Sequence, residues 1–96
     1  MTAASPLPGR VVVTAEPLDT GAERAHLTDG AFGIGGVCSF EGLVRDFSGS
    51  GTDTLTLEHY PGMTERALEA IRERAGERWT LDGLSILHRV GQMEPG

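Results

Sequence analysis

The stretch LTLEHYPGM, residues 55–63, constrains the fold most, because it joins a strand pattern directly to a helix pattern. Residues 54–60 alternate between two faces in the manner of a β-strand. Pro61 suits the first turn of a helix, where its missing N–H costs little. Beyond it, apolar residues recur at helical spacing and predict one long amphipathic helix over residues 61–79. The predicted apolar stripe consists of Ala67, Leu68, Ile71, Ala75 and Trp79.

Four other segments carry strand or turn signals. Val11–Thr14 is a β-branched run and is predicted to be the first strand. Residues 37–44 are apolar on both alternating faces, so we expect a strand that is covered on both sides or one that bends. Gly42 inside this segment would permit a bulge. Residues 84–90 are predicted to form the last strand, and residues 91–96 a turn.

The remaining predicted element is a short helix over residues 21–28. Thr20 and Glu23 stand at capping-box spacing, in which the threonine accepts from a backbone N–H and the glutamate reaches back to the cap. Asp29 and Gly30 would end this helix. The elements then follow in the order β-α-β-β-α-β, which predicts an α+β fold of ferredoxin-like pattern.

Length and composition limit the class of protein. Ninety-six residues suffice for one domain with a modest core, and we expect a flexible leader over residues 1–10 and a single domain over residues 11–96. No stretch approaches the roughly 18 apolar residues that a membrane span requires. A net charge of −6 disfavours a nucleic-acid partner. The single cysteine favours a cytoplasmic location, since small secreted domains usually rely on disulfides.

Three kinds of chemistry lack support in the sequence. The chain contains no lysine, so lysine-dependent chemistry is excluded for this chain alone. Cys38, His59 and His88 stand without the spacing of metal ligands, and we predict neither a metal site nor a bound cofactor. Cys38 is instead expected to be a small buried hydrophobic residue, and the histidines to be hydrogen-bonded structural residues. The glycines of GAFGIGG lead into a predicted strand, which indicates a turn rather than a phosphate-binding loop.

Arg45 is the charged residue with the most functional potential. It ends the predicted strand of residues 37–44, beside a glycine-rich loop and away from the charged face of the long helix. An arginine in that position can bind a phosphate or carboxylate with two parallel hydrogen bonds. It can equally be a surface arginine that pairs with Asp46 or Glu41, and the residues alone favour neither interpretation.

Three motifs taken together, FEGLVRDF, LTLEHYPGM and ILHRVGQMEPG, resemble the large, catalytic subunit of molybdopterin synthase. They occur in that family's order and at matching separations, and they span residues 36–96. Residues 11–35 match the family's opening less specifically. The LTLEHYPGM motif is the most specific of the three, because a run of such mixed residue types rarely coincides by chance.

The resemblance implies an α/β hammerhead fold and a sulfur-transfer reaction. The family converts cyclic pyranopterin monophosphate to molybdopterin, with each sulfur carried as a thiocarboxylate on the C-terminal Gly-Gly of a small ubiquitin-like subunit. Its large subunits form a central homodimer with one small subunit at each end. The family's substrate-binding residues correspond here to Phe40 and Arg45, with the backbone around Leu43 and Val44. Arg45 would hold the phosphate or a carboxylate, and Phe40 would pack against the tail or the pterin.

The chain departs from the family in two respects. Family members often carry a basic residue where this chain has Leu43. They also continue past the position of Gly96 and carry lysines there, one of them the leading candidate for the catalytic acid or base. We therefore expect a chain truncated before the last strands and helix, with no catalytic residue of its own and no activity alone. The alternative is a non-catalytic truncated homologue that acts as a dimerisation or partner-binding module.

The resemblance also bears on the segment that joins the predicted strand to the long helix. The family's assigned chemistry lies mostly outside Glu58, His59 and Tyr60. We therefore interpret this corner as mainly architectural, in that it sets the long helix against the sheet.

Overall fold

The computed structural model describes residues 7–51 and 54–96, and its helices and strands make an α+β fold. The α+β prediction is confirmed, but the order of elements is β-α-β-α-β-β rather than β-α-β-β-α-β. No helix in the described ranges is long and apolar enough to cross a membrane. The elements are β1 (Val11–Thr14), α1 (Thr20–Thr28), β2 (Leu55–Leu57), α2 (Met63–Arg78), β3 (Ile86–Arg89) and β4 (Gly91–Met93).

The strands form two small sheets. β1 runs parallel to β3, and their register places Val11 opposite Ile86. β2 runs antiparallel to β4, with Leu57 opposite Gly91. Parallel strands require a long crossover, and here the crossover from β1 to β3 includes both helices and β2.

Two predictions about individual strands are wrong. Residues 34–46 contain neither helix nor strand, so the strand predicted over residues 37–44 is not formed. The turn predicted over residues 91–96 instead begins with β4. Gly91 makes this possible, since its φ of 89° allows the chain to bend sharply after Val90 and return as a new strand.

Helix α1 starts at a different cap from the one predicted. Asp19 is the N-cap, and its Oδ1 accepts a hydrogen bond of 2.9 Å from the Ala22 N–H. The capping box predicted on Thr20 and Glu23 is therefore wrong. An aspartate satisfies the free N–H groups of the first turn as well as a threonine does, which leaves Glu23 available for another contact.

Glu23 is buried and joins three segments of the fold. Its carboxylate accepts from Arg10 Nε at 2.9 Å and from Ser85 Oγ at 2.7 Å. The hydrogen bond from Arg10 holds the pKa of this carboxyl below its ordinary value. The α1 helix is thereby tied to the start of β1 and to the residue before β3.

Helix α2 begins and ends close to the predicted bounds, but its buried face differs from the predicted stripe. Ile71 is 47% exposed and Trp79 is 55% exposed, whereas Arg72 is only 8% exposed. Ala67 is exposed as well, so the stripe prediction is wrong for Ala67, Ile71 and Trp79. A helix buries whichever side faces its neighbour, and here that side carries a long charged residue whose stem is apolar.

Arg72 is buried because backbone carbonyl groups surround its guanidinium. Nη2 donates to the Leu7 oxygen at 3.0 Å and Nη1 to the Pro8 oxygen at 3.2 Å. Nη1 also donates to the carbonyl oxygen of Leu84. One side chain thus fastens α2 to the segment before β1 and to the segment before β3.

The hydrophobic core is small among the described residues. Val90 and Met93 are its buried apolar members, and Glu23 and Arg72 are buried charged residues. The radius of gyration is 15.9 Å, against roughly 12–13 Å for a compact domain of this length. The excess accords with a central segment, residues 34–46, that adds length without packing into either sheet.

Candidate functional site

The central segment carries the four residues that the sequence predicts for the binding site. Phe40 is 98% exposed and Leu43 is 78% exposed, while Val44 is half-buried. The Val44 carbonyl accepts a backbone hydrogen bond of 2.9 Å from the Gly96 N–H. The segment thus meets the residues that follow β4 at Val44, and residues 35–43 are exposed.

Arg45 follows Val44 immediately and is exposed. Its guanidinium carbon lies 5.4 Å from the centre of the Phe47 ring, within the range of a cation–π contact. No ion pair joins Arg45 to Asp46, to Glu41 or to any other acid among the described residues. Of the two interpretations that the sequence left open, pairing with a neighbouring acid is not seen, and the guanidinium is open to an external anion.

Asp46 has a local role that explains why it does not pair with Arg45. Its Oδ2 accepts from the Gly51 N–H at 3.1 Å, so the carboxylate closes the loop that follows it. Its Oδ1 is buried with no hydrogen-bond partner in the part of the chain that the structure describes. This role of Asp46 was not predicted from the sequence, although an aspartate before a Ser-Gly-rich loop is a known turn signal.

The corner between β2 and α2 is held by hydrogen bonds among its own side chains and backbone. His59 Nε2 lies 2.8 Å from Glu65 Oε1, and Glu65 Oε2 accepts from the Gly62 N–H at 2.9 Å. These two contacts, with the one from His59 the larger cause, lower the pKa of the Glu65 carboxyl. The contacts are those of a helix start, since Gly62 is the N-cap of α2 and Glu65 lies in its first turn.

Tyr60 adds a second hydrogen bond at the same corner. Its hydroxyl donates to the Glu58 carboxylate, which raises the pKa of the Tyr60 hydroxyl above its ordinary value. Both groups are exposed. The architectural interpretation of the corner agrees with these contacts, all of which lie within residues 58–65.

An open cleft of about 510 Å³ lies beside β4 and was not expected from the sequence. Arg89 forms one side of it, and residues 92–96 form the rest. Arg89 Nε donates to the Ala15 carbonyl oxygen at 3.3 Å. Because Gly96 both lines this cleft and donates to Val44, the cleft adjoins the end of the central segment.

A smaller cleft of about 250 Å³ separates α1 from one face of the β1–β3 sheet. Val12 and Leu87 are among its apolar lining residues, and the Arg10–Glu23 ion pair, 2.8 Å long, also lines it. None of the four predicted site residues lines it. It is therefore separate from the candidate site.

The residues considered as metal ligands lie apart from one another. Cys38 is exposed on the central segment, so the prediction that it is buried is wrong. His59 belongs to the helix start described above, and His88 is half-buried on β3 opposite Val13. Within residues 7–51 and 54–96, no three His, Cys, Asp or Glu side chains form a cluster that could hold a metal ion.

Comparison with known proteins gives consistent matches over most of the chain. The sequence model of the MoaE protein family matches residues 13–96. The molybdopterin synthase catalytic subunit of Cereibacter sphaeroides is 50% identical over 86 residues, which cover 90% of this chain and 58% of that protein. The protein of the same name from Pseudomonas aeruginosa is 52% identical over 79 residues, covering 81% of this chain and 53% of that protein.

A solved structure supports the same relationship in three dimensions. Molybdopterin cofactor biosynthesis protein E from Burkholderia multivorans superposes with a TM-score of 0.80 at 44% sequence identity. The match covers 92% of this chain and 57% of that one. The chain thus spans little more than half the length of the relatives described here.

Proposed function

The chain belongs to the MoaE protein family, and on this basis we propose that it serves in molybdenum cofactor biosynthesis as part of a molybdopterin synthase large subunit. The reaction is the transfer of sulfur from a thiocarboxylated small subunit to cyclic pyranopterin monophosphate. Within the candidate site, the proposal rests mainly on Arg45. It stands within the family motif FEGLVRDF, exposed and without an acidic partner in the described part of the chain.

Arg45 binds the phosphate of the substrate or the carboxylate end of the small subunit. A guanidinium presents a planar fork of N–H donors that matches the oxygens of either group, and such charge-assisted pairs are stronger than neutral hydrogen bonds. The Phe47 ring beneath the guanidinium limits the positions that the flexible side chain adopts. Phe40, almost fully exposed, supplies an aromatic face against which the tail or the pterin packs.

The backbone around Leu43 and Val44 receives the C-terminal tail of the small subunit. Residues 34–43 make no backbone hydrogen bond to another described residue, so their N–H and C=O groups are free to pair. An extended peptide can add to such a segment as a neighbouring strand, with backbone hydrogen bonds that supply affinity. A Gly-Gly tail fits this mode because it has no side chains to collide with the segment.

Turnover requires groups that this chain does not carry. It has no lysine, and the catalytic acid or base that the family resemblance implies is a lysine. We therefore propose that the chain alone binds its partners without catalysing the transfer. The second candidate function, a non-catalytic dimerisation or partner-binding module, rests on the same absence of lysine.

One experiment tests the proposed function. The chain is mixed with the thiocarboxylated small subunit and cyclic pyranopterin monophosphate, and molybdopterin formation is measured beside the Pseudomonas aeruginosa relative as positive control. Binding of the small subunit is measured in parallel by calorimetry. Binding of the small subunit without turnover is the result expected of the chain alone, and turnover would refute the requirement for lysine. Absence of both would refute the proposed function.

The role of Arg45 has its own test. The substitution Arg45→Ala removes one charge-assisted contact and is expected to weaken substrate or tail binding about 10-fold, the equivalent of about 1.4 kcal/mol. Arg74→Ala is the matched control, because Arg74 is an exposed arginine on α2. Equal affinities of the two variants would remove Arg45 from the site.

A further inference from the structure

Given the proposed function, on which this inference rests, we propose that the exposed side of helix α2 is a docking surface. Its occupant is the part of a MoaE-family chain that has no counterpart in these 96 residues, and this part docks through a helix with an apolar face bordered by carboxylates. The apolar stripe that the sequence predicts on α2 is mostly exposed, so it is free to serve as such a surface.

The first observation is a row of apolar side chains that runs the length of α2. Residues four positions apart stand in line on a helix and form a ridge. The row that faces the body of the fold contains the buried Arg72 and also Gly76, where an added Cβ would lie 3.2 Å from Leu7 Cδ2. The neighbouring row, here called the α2 ridge, consists of Met63, Ala67, Ile71, Ala75 and Trp79. Its three large side chains are 47–65% exposed, so the ridge is open along the helix.

The shape of the α2 ridge suits another helix. Large residues alternate along it with Ala67 and Ala75, which leave gaps between them. The ridges of one helix pack into the grooves of another, and the gaps at the two alanines provide room for this. A helix laid across α2 can thus insert side chains at the alanines and cover the large residues on either side.

The second observation is the length of the relatives, which indicates what covers the α2 ridge. Because 86 matched residues make up 58% of the Cereibacter sphaeroides protein, that protein has about 150 residues, a usual size for one domain. Its unmatched part is then expected to share a core with the matched part, and such packing requires an apolar surface on each. The matched fold is the same in the longer Burkholderia multivorans protein, with a TM-score of 0.80, so docking does not require this chain to refold.

The third observation is the charge beside the α2 ridge, which indicates what the docked helix carries. Arg66, Arg74 and Arg78 belong to the row on one side of the ridge, and all three are exposed. None of them makes an ion pair within the described ranges. The glutamates of α2 stand beyond the row that holds Arg72, and two of them already have partners. Carboxylates on the incoming helix therefore complement the arginine row.

The same charges disfavour a second copy of this chain as the occupant. Two α2 helices packed antiparallel about a two-fold axis present the same side to each other, so their arginine rows would face one another. Like charges brought together in this way suppress a pairing. A helix with acidic borders, from the unmatched part of the family's chain, carries no such penalty.

The experiment uses the unmatched part of the Pseudomonas aeruginosa relative as the probe. This part is co-expressed with the tagged 96-residue chain, and the mass of the purified product is measured by native mass spectrometry. The expected product contains one copy of each polypeptide. Where the probe does not accumulate as a separate polypeptide, it is joined to the end of the 96-residue chain, and the labelling described next is applied to the joined chain.

Thiol labelling locates the contact on α2. In a chain with Cys38→Ser, Ile71→Cys introduces a thiol on the α2 ridge, and Glu73→Cys introduces one on the opposite side of the helix. The probe is expected to slow labelling at position 71 about 10-fold or more, because a covered side chain reacts only when the contact opens. Labelling at position 73 is expected to stay unchanged.

Two substitutions test the chemistry of the surface. Ile71→Glu puts a charge into the contact and is expected to weaken the complex about 10- to 100-fold, measured as dissociation of the purified complex on dilution. Arg66→Glu sets a carboxylate against the carboxylates of the docked helix and is expected to weaken the complex about 3- to 10-fold. The control is Arg24→Glu, which makes the same change of charge at an exposed position of α1 and should leave the affinity unchanged. Both α2 positions are exposed, so the circular dichroism of each variant alone should match that of the wild-type chain.

Three results would overturn the inference. One is the absence of a complex together with unprotected labelling at position 71 in the joined chain. Another is a complex in which labelling at position 71 is as fast as in the chain alone. The third is a dimer of the 96-residue chain in which position 71 is protected, since the occupant would then be a second copy.

Docking is measured without substrate and is therefore independent of sulfur transfer. A complex that protects position 71 but neither binds the small subunit nor transfers sulfur would retain the docking surface and refute the proposed function. Sulfur transfer by a complex in which position 71 stays exposed would retain the function and refute the role of α2.

Discussion

Replacement of Arg72 by alanine is expected to destabilise the fold by about 2–3 kcal/mol. The substitution removes the donors to three backbone carbonyl groups, those of Leu7, Pro8 and Leu84. A protein hydrogen bond contributes about 1 kcal/mol net, and more where the abandoned acceptor stays buried. The Pro8 oxygen keeps its hydrogen bond of 2.9 Å from the Leu84 N–H. The Leu7 and Leu84 carbonyl groups belong to half-buried residues, so water can satisfy only part of what they lose. The loss is a large fraction of the roughly 5–15 kcal/mol that holds a domain folded.

The measurement is urea unfolding followed by circular dichroism of the helices. With a slope of about 1 kcal/mol per molar urea for a small domain, the midpoint of Arg72→Ala should fall by about 2–3 M. Arg72→Met keeps much of the apolar stem and loses every donor, so it separates packing from hydrogen bonding. Both variants also lose the contact of 3.1 Å between Arg72 Nε and Glu69 Oε1. If the lost hydrogen bonds are the cause, the methionine variant is destabilised almost as much as the alanine variant.

The control is Arg74→Ala, two residues along the same helix and exposed. Surface substitutions of this kind change stability by no more than about 0.5 kcal/mol. If the free energy of unfolding of Arg72→Ala lies within about 0.5 kcal/mol of that of the control, the reasoning is refuted. That result would mean that the carbonyl groups are equally well satisfied without the guanidinium.

Two further predictions concern the corner between β2 and α2. Gly62→Ala should destabilise the chain by about 1–2 kcal/mol, because φ is 84° there and an added Cβ would lie 3.1 Å from Arg66 Nη1. The control in the same urea assay is Gly33→Ala, since Gly33 has open space around it. Equal unfolding midpoints of the two variants would contradict the argument. Tyr60 is the single tyrosine, so its pKa can be followed by ultraviolet absorbance, and the titration midpoint should lie above the ordinary value of 10.0. Glu58→Gln removes the carboxylate and should lower this midpoint. An unchanged midpoint in Glu58→Gln would show that the hydrogen bond is not formed in solution.

Local signals in the sequence predicted the first strand and both helices. The β-branched run Val11–Thr14 and the helices Thr20–Thr28 and Met63–Arg78 lie within a few residues of their predicted bounds. Helices make their hydrogen bonds within the segment, so composition and caps determine much of their extent. The family motifs likewise identified the family, which the matches over residues 13–96 confirm.

Burial was less predictable than secondary structure. Arg72 belongs to the charged positions that a helical wheel assigns to solvent, yet it is buried while Ile71 beside it is half-exposed. The reason lies in the carbonyl groups of Leu7, Pro8 and Leu84, which are contributed by segments far away in the sequence. A periodic pattern records which residues share a face of the helix, but the partner decides which face is buried.

Residues 34–46 show the same dependence on a partner, and here it bears on function. Their composition favours a strand, but a strand forms only where a neighbouring backbone supplies N–H and C=O groups. Among the described residues only Gly96 does so, through its single bond to Val44. The lack of a neighbouring backbone therefore explains why the predicted strand does not form. The same lack is what makes the proposed mode of tail binding possible. A segment with strand propensity and an unpaired backbone is one that an incoming peptide can complete, and the Arg45 guanidinium stands next to the one point at which pairing has begun.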